Sequence, residues 1–190
     1  MYSDQVLIDR ATLQHKIAEL GMRISQDYEG KDLVLIGILK GAFMFLADFS
    51  RAISIPHEID FMQASSYGSE RESSGKLTIN HDVMTDLTGR HVLVVEDIID
   101  TGHALKEICA HLAAKGPATL QVCCLLDKVS SRKVEVSVKY VGFEVPGEWV
   151  YGFGLDNDEY CRGIPNVCVL PTERYDTDWR NSWKVPGKTS

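Results

Sequence analysis

Hydrophobic positions change their spacing along the chain, and each spacing predicts an element. In residues 9–28 apolar side chains recur every three or four positions, which predicts an amphipathic helix that Gly30 ends. Residues 32–38 form a short apolar run, typical of a strand that is buried on both faces. Residues 42–53 are apolar almost throughout, so we expect a helix buried in the core or against a second subunit.

The same alternation continues to the end of the chain. Leu105, Ile108 and Leu112 recur at helical spacing and predict one more helix. Further strands are predicted at residues 57–64, 92–95, 119–126, 140–143, 149–152 and 167–170. Strands that alternate with helices indicate an α/β fold, in which a parallel twisted sheet carries helices on both faces. We expect residues 1–190 to form one such domain.

Composition and charge narrow the class of protein. The chain has 190 residues, 44% of them hydrophobic and 25% charged, as in ordinary globular domains. Its net charge of −7 argues against nucleic-acid and membrane-surface partners, which select basic surfaces. We expect a cytoplasmic protein, because no apolar run is long enough to span a bilayer and the first residues do not resemble a signal peptide. Five cysteines without a CxxC pair indicate free thiols.

Residues 92–104 are the strongest candidate for a functional site. The apolar strand runs into Glu96-Asp97-Ile98-Ile99-Asp100, and Thr101-Gly102 then opens a helix. Backbone N–H groups at the start of a helix are free to bind an anion such as a phosphate. A strand, acidic residues, a loop and a helix in this order predict a ligand site at the end of a strand.

Other polar residues follow predicted strands in the same way. Lys40-Gly41, Lys128 and Trp149-Val150 stand where strands should end, and ligands of open α/β sheets bind at the carboxyl ends of strands. Each alone has an ordinary explanation, since such lysines commonly face solvent and tryptophans commonly lie in the core. Residues 65–75 are rich in Ser, Gly and charge, which fits a solvated loop or a mobile lid. Their conjunction with the acidic loop favours one common site.

These segments together resemble a known family. Glu96-Asp97-Ile98-Ile99-Asp100-Thr101-Gly102 is similar to the phosphoribosyl-pyrophosphate signature of type I phosphoribosyltransferases, in the form found in those that act on hypoxanthine or guanine. Arg162 stands where the family places an arginine that contacts pyrophosphate. Further likenesses are Leu39-Lys40-Gly41-Ala42 to the pyrophosphate loop, Ser66-Tyr67 to the flexible lid, and residues 142–146, 149–150 and 154–156 to the purine-binding hood.

The resemblance implies a glycosyltransferase of purine salvage. Such an enzyme transfers ribose 5-phosphate from phosphoribosyl pyrophosphate to hypoxanthine or guanine and gives IMP or GMP and pyrophosphate. It implies that Thr101-Gly102-His103-Ala104 binds the 5-phosphate at the positive end of a helix. Glu96 and Asp97 would bind the ribose hydroxyls, and Asp100 would accept the N7 proton of the purine as the catalytic base.

The leaving group and the cation follow from the same resemblance. Lys40-Gly41 and Arg162 would bind pyrophosphate. Mg²⁺ is the implied cofactor, with Asp156 as its direct ligand, Glu96 and Asp97 as further candidate ligands, and water or substrate oxygens completing an octahedron. The family also carries a non-proline cis peptide in the pyrophosphate loop, so we expect one between Leu39 and Lys40.

Base choice is predicted from hydrogen-bonding groups. Lys128 only donates, so it suits a 6-keto oxygen and opposes the 6-amino group of adenine. Trp149 offers a face for stacking, and the Val150 carbonyl can accept the N1–H of a 6-oxopurine. Hypoxanthine is favoured over guanine because this region resembles bacterial members of the family, and no residue clearly reads a 2-amino group.

Several expectations complete the interpretation. The family usually has a second hydroxyl residue where this chain has Ala104, so the 5-phosphate loses one side-chain donor. The hood is expected from roughly residues 1–15 and 140–175, and the assembly is expected to be a homodimer or homotetramer. Two alternatives stay open: a transferase of the same fold for xanthine or another base, and a nucleotide-sensing RNA-binding regulator. The acidic charge disfavours the regulator.

Overall fold

The computed structural model describes residues 5–66 and 77–170. These residues contain three α-helices and nine strands, and the strands form two sheets. The helices are α1 (Arg10–Asp27), α2 (Phe43–Ala52) and α3 (His103–Ala113). The strands are β1 (Val6–Ile8), β2 (Leu33–Leu39), β3 (His57–Ser66), β4 (Leu77–His81), β5 (His91–Ile99), β6 (Thr119–Asp127), β7 (Tyr140–Glu144), β8 (Val150–Tyr151) and β9 (Val167–Val169). A short 3₁₀ helix, Val129–Ser131, follows β6.

The larger sheet has six strands in the order β4-β3-β2-β5-β6-β7. Strands β2, β3, β5, β6 and β7 run parallel, while β4 pairs antiparallel with β3 at one edge. The predicted parallel sheet is therefore confirmed, and β4 is an addition that its mixed polar pattern did not reveal. Strand β5 also extends four residues beyond the predicted run at 92–95, so Glu96 and Asp97 lie within the strand.

Helices cover both faces of this sheet, as predicted. Helices α1 and α2 pack on one face and α3 on the other. The Asp9 carboxylate caps α1 by accepting a hydrogen bond from Thr12 N at 2.8 Å. A methyl group at Gly21 of α1 would lie 2.6 Å from Ala52, so only glycine allows the two helices to pack this closely. Helix α1 ends at Asp27, and Gly30, the predicted stop, lies in the turn that follows with a positive φ of 72°.

Helix α2 differs from the expectation of a helix buried all round. Phe45, Leu46 and Phe49 are buried against the sheet, but Phe43 is 36% exposed and Ala47 is exposed. Some apolar residues of α2 therefore lie on the side of the helix that faces away from the core. We expected α2 to be buried in the core or against a second subunit. For the side with Phe43 and Ala47, burial in the core is wrong.

The smaller sheet joins the two ends of the described chain. Strand β9 lies between β1 and β8 and pairs antiparallel with both. Strand β7 still belongs to the larger sheet, so the smaller sheet takes its first C-terminal strand at Val150. Trp149-Val150 therefore does not stand at the carboxyl end of a parallel strand, which corrects the prediction. Within the predicted run 149–152, Val150 and Tyr151 pair antiparallel with β9 instead.

The cysteines agree with the expectation from composition. Among the described residues no cysteine forms a disulfide, and Cys123, Cys124 and Cys168 are buried. Within residues 5–66 and 77–170, no helix is both long enough and apolar enough to cross a bilayer.

Candidate active site

Three of the predicted site segments meet at one edge of the parallel sheet. Lys40 follows the end of β2, Asp100 follows β5 and Lys128 follows β6. The register places Ile99 beside Asp127, so Asp100 and Lys128 leave neighbouring strands at the same level. Because all three strands are parallel, their carboxyl ends lie on the same side. The predicted convergence of these three strand ends is confirmed.

The loop after β5 has the geometry of an anion site. Gly102 has φ of 87° and precedes α3 without a side chain to cap its first N–H groups. A methyl group at Gly102 would lie 3.2 Å from the Val134 carbonyl oxygen, so both space and backbone conformation favour glycine. Thr101 and His103 are half-buried, and Ala104 is exposed. The start of α3 thus presents backbone donors at the sheet edge, as predicted.

Lys128 is a buried cation beside an exposed carboxylate. Its side chain is 8% exposed, and its Nζ lies 3.5 Å from Asp100 Oδ2. The Lys128 backbone N–H donates to the Ile99 carbonyl at 2.9 Å, which ties the end of β6 to the end of β5. A buried ammonium lacks full hydration, so a polar ligand that reaches it gains a strong hydrogen bond. The ordinary alternative of a solvent-facing lysine is excluded for Lys128.

Glu96 and Asp97 form a poorly solvated acidic pair. Burial raises the pKa of both carboxyl groups, and the neighbouring Asp97 raises the pKa of Glu96 further. Asp97 is buried, and a methyl group at Gly41 would lie 1.8 Å from Asp97 Oδ2. Gly41 is therefore required for the loop after β2 to pack against this carboxylate. A cation or a developing positive charge at this position would be stabilised by the pair.

The loop after β2 also contacts the segment that follows β8. The Leu39–Lys40 peptide bond is cis, which confirms the expectation. Gly154, at φ of 103°, packs so closely that a methyl group on it would lie 2.1 Å from the Gly41 carbonyl oxygen. Two glycines thus bring the two loops into backbone contact.

Arg162 is brought to the same place by a network of charged groups. Its guanidinium donates to the Gly154 carbonyl at 2.9 Å and lies 3.1 Å from Asp156 Oδ1. Glu159 Oε2 lies 3.3 Å from Arg162 and 2.7 Å from Lys40 Nζ. The two predicted pyrophosphate-binding cations therefore share one carboxylate. Sequence reasoning missed Glu159; its spacing of three residues from Arg162 was the only signal.

The predicted metal ligands do not form a cage by themselves. Within the described residues, no three His, Cys, Asp or Glu side chains gather closely enough to hold a metal ion. Asp156 accepts a hydrogen bond from Glu159 N at 2.8 Å and faces Arg162 with its other oxygen. A carboxylate at the edge of an anion site still suits Mg²⁺, which usually takes one or two carboxylates together with substrate oxygens and water.

The loop that leads to the predicted base-binding residues Trp149 and Val150 lies near the turn that carries Lys128. Trp149 is 45% exposed, so it is not a core tryptophan, and Val150 is buried. A methyl group at Gly147 would lie 3.5 Å from Ser131 Oγ, which places this loop beside the 3₁₀ helix after Lys128. The Ser66 side chain and Tyr67 of the predicted lid lie outside the described residues, as do residues 171–175 of the predicted hood.

Comparisons with known proteins point in one direction. Residues 5–158 match the family model for the phosphoribosyl transferase domain. The chain is 44% identical over 165 residues to the hypoxanthine phosphoribosyltransferase of Salmonella typhimurium, covering 86% of this chain and 93% of the relative. It is 42% identical over 176 residues to the hypoxanthine-guanine phosphoribosyltransferase of Mycobacterium tuberculosis, covering 90% and 87%. The crystal structure of a Staphylococcus aureus hypoxanthine phosphoribosyltransferase superposes with a TM-score of 0.88 at 39% identity, covering 91% and 94%.

Proposed function

Because the chain belongs to the phosphoribosyltransferase family, we propose that it transfers ribose 5-phosphate from phosphoribosyl pyrophosphate to hypoxanthine in purine salvage. The observation that carries the proposal is the buried Lys128 ammonium, 3.5 Å from Asp100 and directly beside the anion loop of α3. A donor for the purine oxygen, a base for the purine proton and a site for the 5-phosphate of the ribose are thereby adjacent at one sheet edge.

The proposed chemistry begins with the sugar. The 5-phosphate binds the N–H groups at the start of α3 and the Thr101 hydroxyl. Glu96 and Asp97 bind the ribose hydroxyls. As carbon-1 loses pyrophosphate it gains positive charge, which nearby carboxylates stabilise more strongly in the transition state than in the ground state. Purine N9 attacks carbon-1, and Asp100 accepts the proton that leaves N7.

The leaving pyrophosphate is proposed to meet Lys40, the backbone at Gly41 and Arg162. Lys40 and Arg162 both contact one carboxylate oxygen of Glu159, so their spacing suits a shared anionic ligand. Asp156 would hold Mg²⁺ together with substrate oxygens, and Glu96 and Asp97 are further candidates. When bound, Mg²⁺ offsets the negative charge of pyrophosphate.

Base choice follows from what the site can donate and accept. Lys128 donates to the 6-keto oxygen and cannot accept from the 6-amino group of adenine. Trp149 supplies an exposed aromatic face, and the Val150 carbonyl accepts from N1–H. Hypoxanthine is the proposed substrate, and guanine, which shares both groups, is the second candidate. One relative is named a hypoxanthine phosphoribosyltransferase and another a hypoxanthine-guanine phosphoribosyltransferase.

We further propose a cytoplasmic homodimer or homotetramer. Ile59 and Phe61 of β3 are 41% and 36% exposed on the side of the sheet where α2 packs, and Phe43 of α2 is also exposed. Burial of these residues against a second subunit would remove apolar surface from water. Light scattering coupled to gel filtration tests the assembly: a monomeric mass at micromolar concentration refutes it.

A substrate panel tests the proposed activity. The protein is incubated with phosphoribosyl pyrophosphate, Mg²⁺ and either hypoxanthine, guanine, xanthine or adenine, and nucleotide and pyrophosphate are quantified. We expect IMP with the highest kcat/KM and no product from adenine. Preference for xanthine would support the alternative transferase, and absence of nucleotide from all four bases would refute the proposal. A parallel reaction with EDTA measures the requirement for Mg²⁺.

A further inference from the structure

One short segment connects the base site to the phosphate loop. It begins at Lys128, whose N–H donates to the Ile99 carbonyl, and continues through the 3₁₀ helix Val129–Ser131. The N–H groups of Lys133 and Val134 then donate to the Thr101 carbonyl, at 3.0 and 3.3 Å. The same segment is therefore hydrogen-bonded to both sides of Asp100, and its conformation decides where Lys128 and Thr101 lie.

Across this segment lies an ion pair between Asp127 and Arg132. Arg132 Nη2 lies 2.7 Å from Asp127 Oδ1, and the two side chains are only 18% and 10% exposed. Asp127 is the last residue of β6 and Arg132 is the residue after the 3₁₀ helix, so the pair closes the turn that carries Lys128. Ser131 N also donates to the Lys128 carbonyl at 2.9 Å inside this turn.

The pair is poorly suited to stabilise the fold. Two charges are removed from water, and an ion pair this buried often contributes less than apolar side chains of the same volume would. The other guanidinium nitrogen of Arg132, Nη1, is buried without a hydrogen-bond partner among the described residues. Such an unsatisfied donor adds a further cost. The pair lies between the base site and the phosphate loop. This position accounts for the presence of the pair better than a contribution to the stability of the fold would.

Arg90 provides a contrast within the same chain. Its side chain is 20% exposed, close to the 18% of Arg132. Its guanidinium is shared between Asp32 and Glu58. Arg90 precedes β5, so it lies at the end of the strand opposite to the site. The two arginines are similar in burial and both are paired with carboxylates, although the partners of Arg90 are more exposed than Asp127, and only Arg132 is next to the site.

We propose that Arg132 is a positioning residue that, through Asp127, fixes the Lys128 turn and the Thr101 loop as one unit. The proposal rests on the proposed function, because it assigns the two positioned groups to the purine and to the 5-phosphate. It requires that loss of the pair weakens binding of both groups together, while binding of pyrophosphate, which uses Lys40 and Arg162, is unaffected.

The test compares Arg132→Met with Arg90→Met and the unmodified protein. Michaelis constants for hypoxanthine, dissociation constants for IMP and for pyrophosphate by calorimetry, and melting temperatures are measured for each. We expect Arg132→Met to raise the hypoxanthine KM and the IMP dissociation constant by about tenfold or more, because small misplacements of binding groups are costly. Pyrophosphate affinity should not change. Arg90→Met should lower the melting temperature and leave all three constants unchanged.

Two further measurements keep the proposal falsifiable. Arg132→Lys keeps one charged donor for Asp127 and should recover part of the affinity for IMP and hypoxanthine. If Arg132→Met does not fold because Asp127 is left buried and unpaired, the double variant Asp127→Leu/Arg132→Met is measured instead. Melting temperatures that fall while the hypoxanthine KM and IMP affinity stay at the unmodified values would overturn the proposal. If the unmodified protein binds no IMP, the proposed function itself fails, which is a different result.

Discussion

Lys128→Met is the sharpest test of how the base is recognised. Methionine keeps much of the volume and removes the ammonium, so packing of this buried position changes little. A hydrogen bond to a charged donor contributes about 1.5–3 kcal/mol, which corresponds to roughly 10- to 150-fold in affinity. The hypoxanthine KM should rise by that factor. Adenine should be rejected less strongly, because no donor then opposes its 6-amino group.

The assay separates recognition from chemistry. Initial rates are measured with hypoxanthine and with adenine at saturating phosphoribosyl pyrophosphate, and Lys115→Met serves as control. Lys115 is also ion-paired, with Asp82 at 2.8 Å, but it lies beyond the end of α3 opposite to the anion loop. The Asp100 side chain is largely exposed, so water screens its charge interaction with Lys128. Loss of the Lys128 ammonium should therefore change kcat less than it changes the hypoxanthine KM. An unchanged hypoxanthine KM together with unchanged rejection of adenine would refute the assignment of Lys128.

Three other substitutions test the remaining parts of the site. Asp100→Asn should lower the single-turnover rate by about 10²- to 10⁴-fold with little change in phosphoribosyl pyrophosphate affinity, and an unchanged rate would remove Asp100 from the mechanism. Ala104→Thr adds a hydroxyl in the first turn of α3, and a gain near 1.5 kcal/mol would be about tenfold in the dissociation constants of IMP and phosphoribosyl pyrophosphate. Calorimetry should show no such gain for free purine, and a gain there would mean that the loop does not bind the 5-phosphate. Glu159→Gln should tighten pyrophosphate binding, because Lys40 and Arg162 lose the carboxylate that they now share. Glu148→Gln, an exposed acid in the loop before β8, controls for net charge, and equal pyrophosphate affinity in the two variants would contradict this role for Glu159.

The parallel sheet was predictable because its strands are apolar on both faces. Runs such as 92–95 and 119–126 admit few other interpretations, and the residues after them fall at the carboxyl edge in any open α/β sheet. Lys128 illustrates the limit of this reasoning. The sequence places it at a strand end, but only the structure shows that its side chain is buried beside Asp100.

Other features depend on contacts between distant parts of the chain. The pairing of β1 with β9 joins residues more than 150 positions apart, and three-residue strands give no periodic signal. Glu159 reaches Lys40 from a backbone with φ of 69°, a conformation that is rare for glutamate and that the sequence does not predict. Trp149-Val150 was wrongly placed at the carboxyl end of a parallel strand, because an apolar run of four residues fits a parallel or an antiparallel partner equally well.

The backbone contact between Gly41 and Gly154 limits how such enzymes can be recombined. It is the point at which the segment after β8 meets the loop after β2, with no side chain between them to absorb a mismatch. A chimaera that takes the residues after β7 from a relative would exchange the proposed base contacts of Trp149 and Val150, while Lys128, which precedes β7, would stay. It would fold into a working enzyme only if the donor also supplies a glycine opposite Gly41, because any larger residue would displace the loop that packs on Asp97. The segment with Trp149 and Val150 can therefore be exchanged as one unit, provided that this glycine is transferred with it.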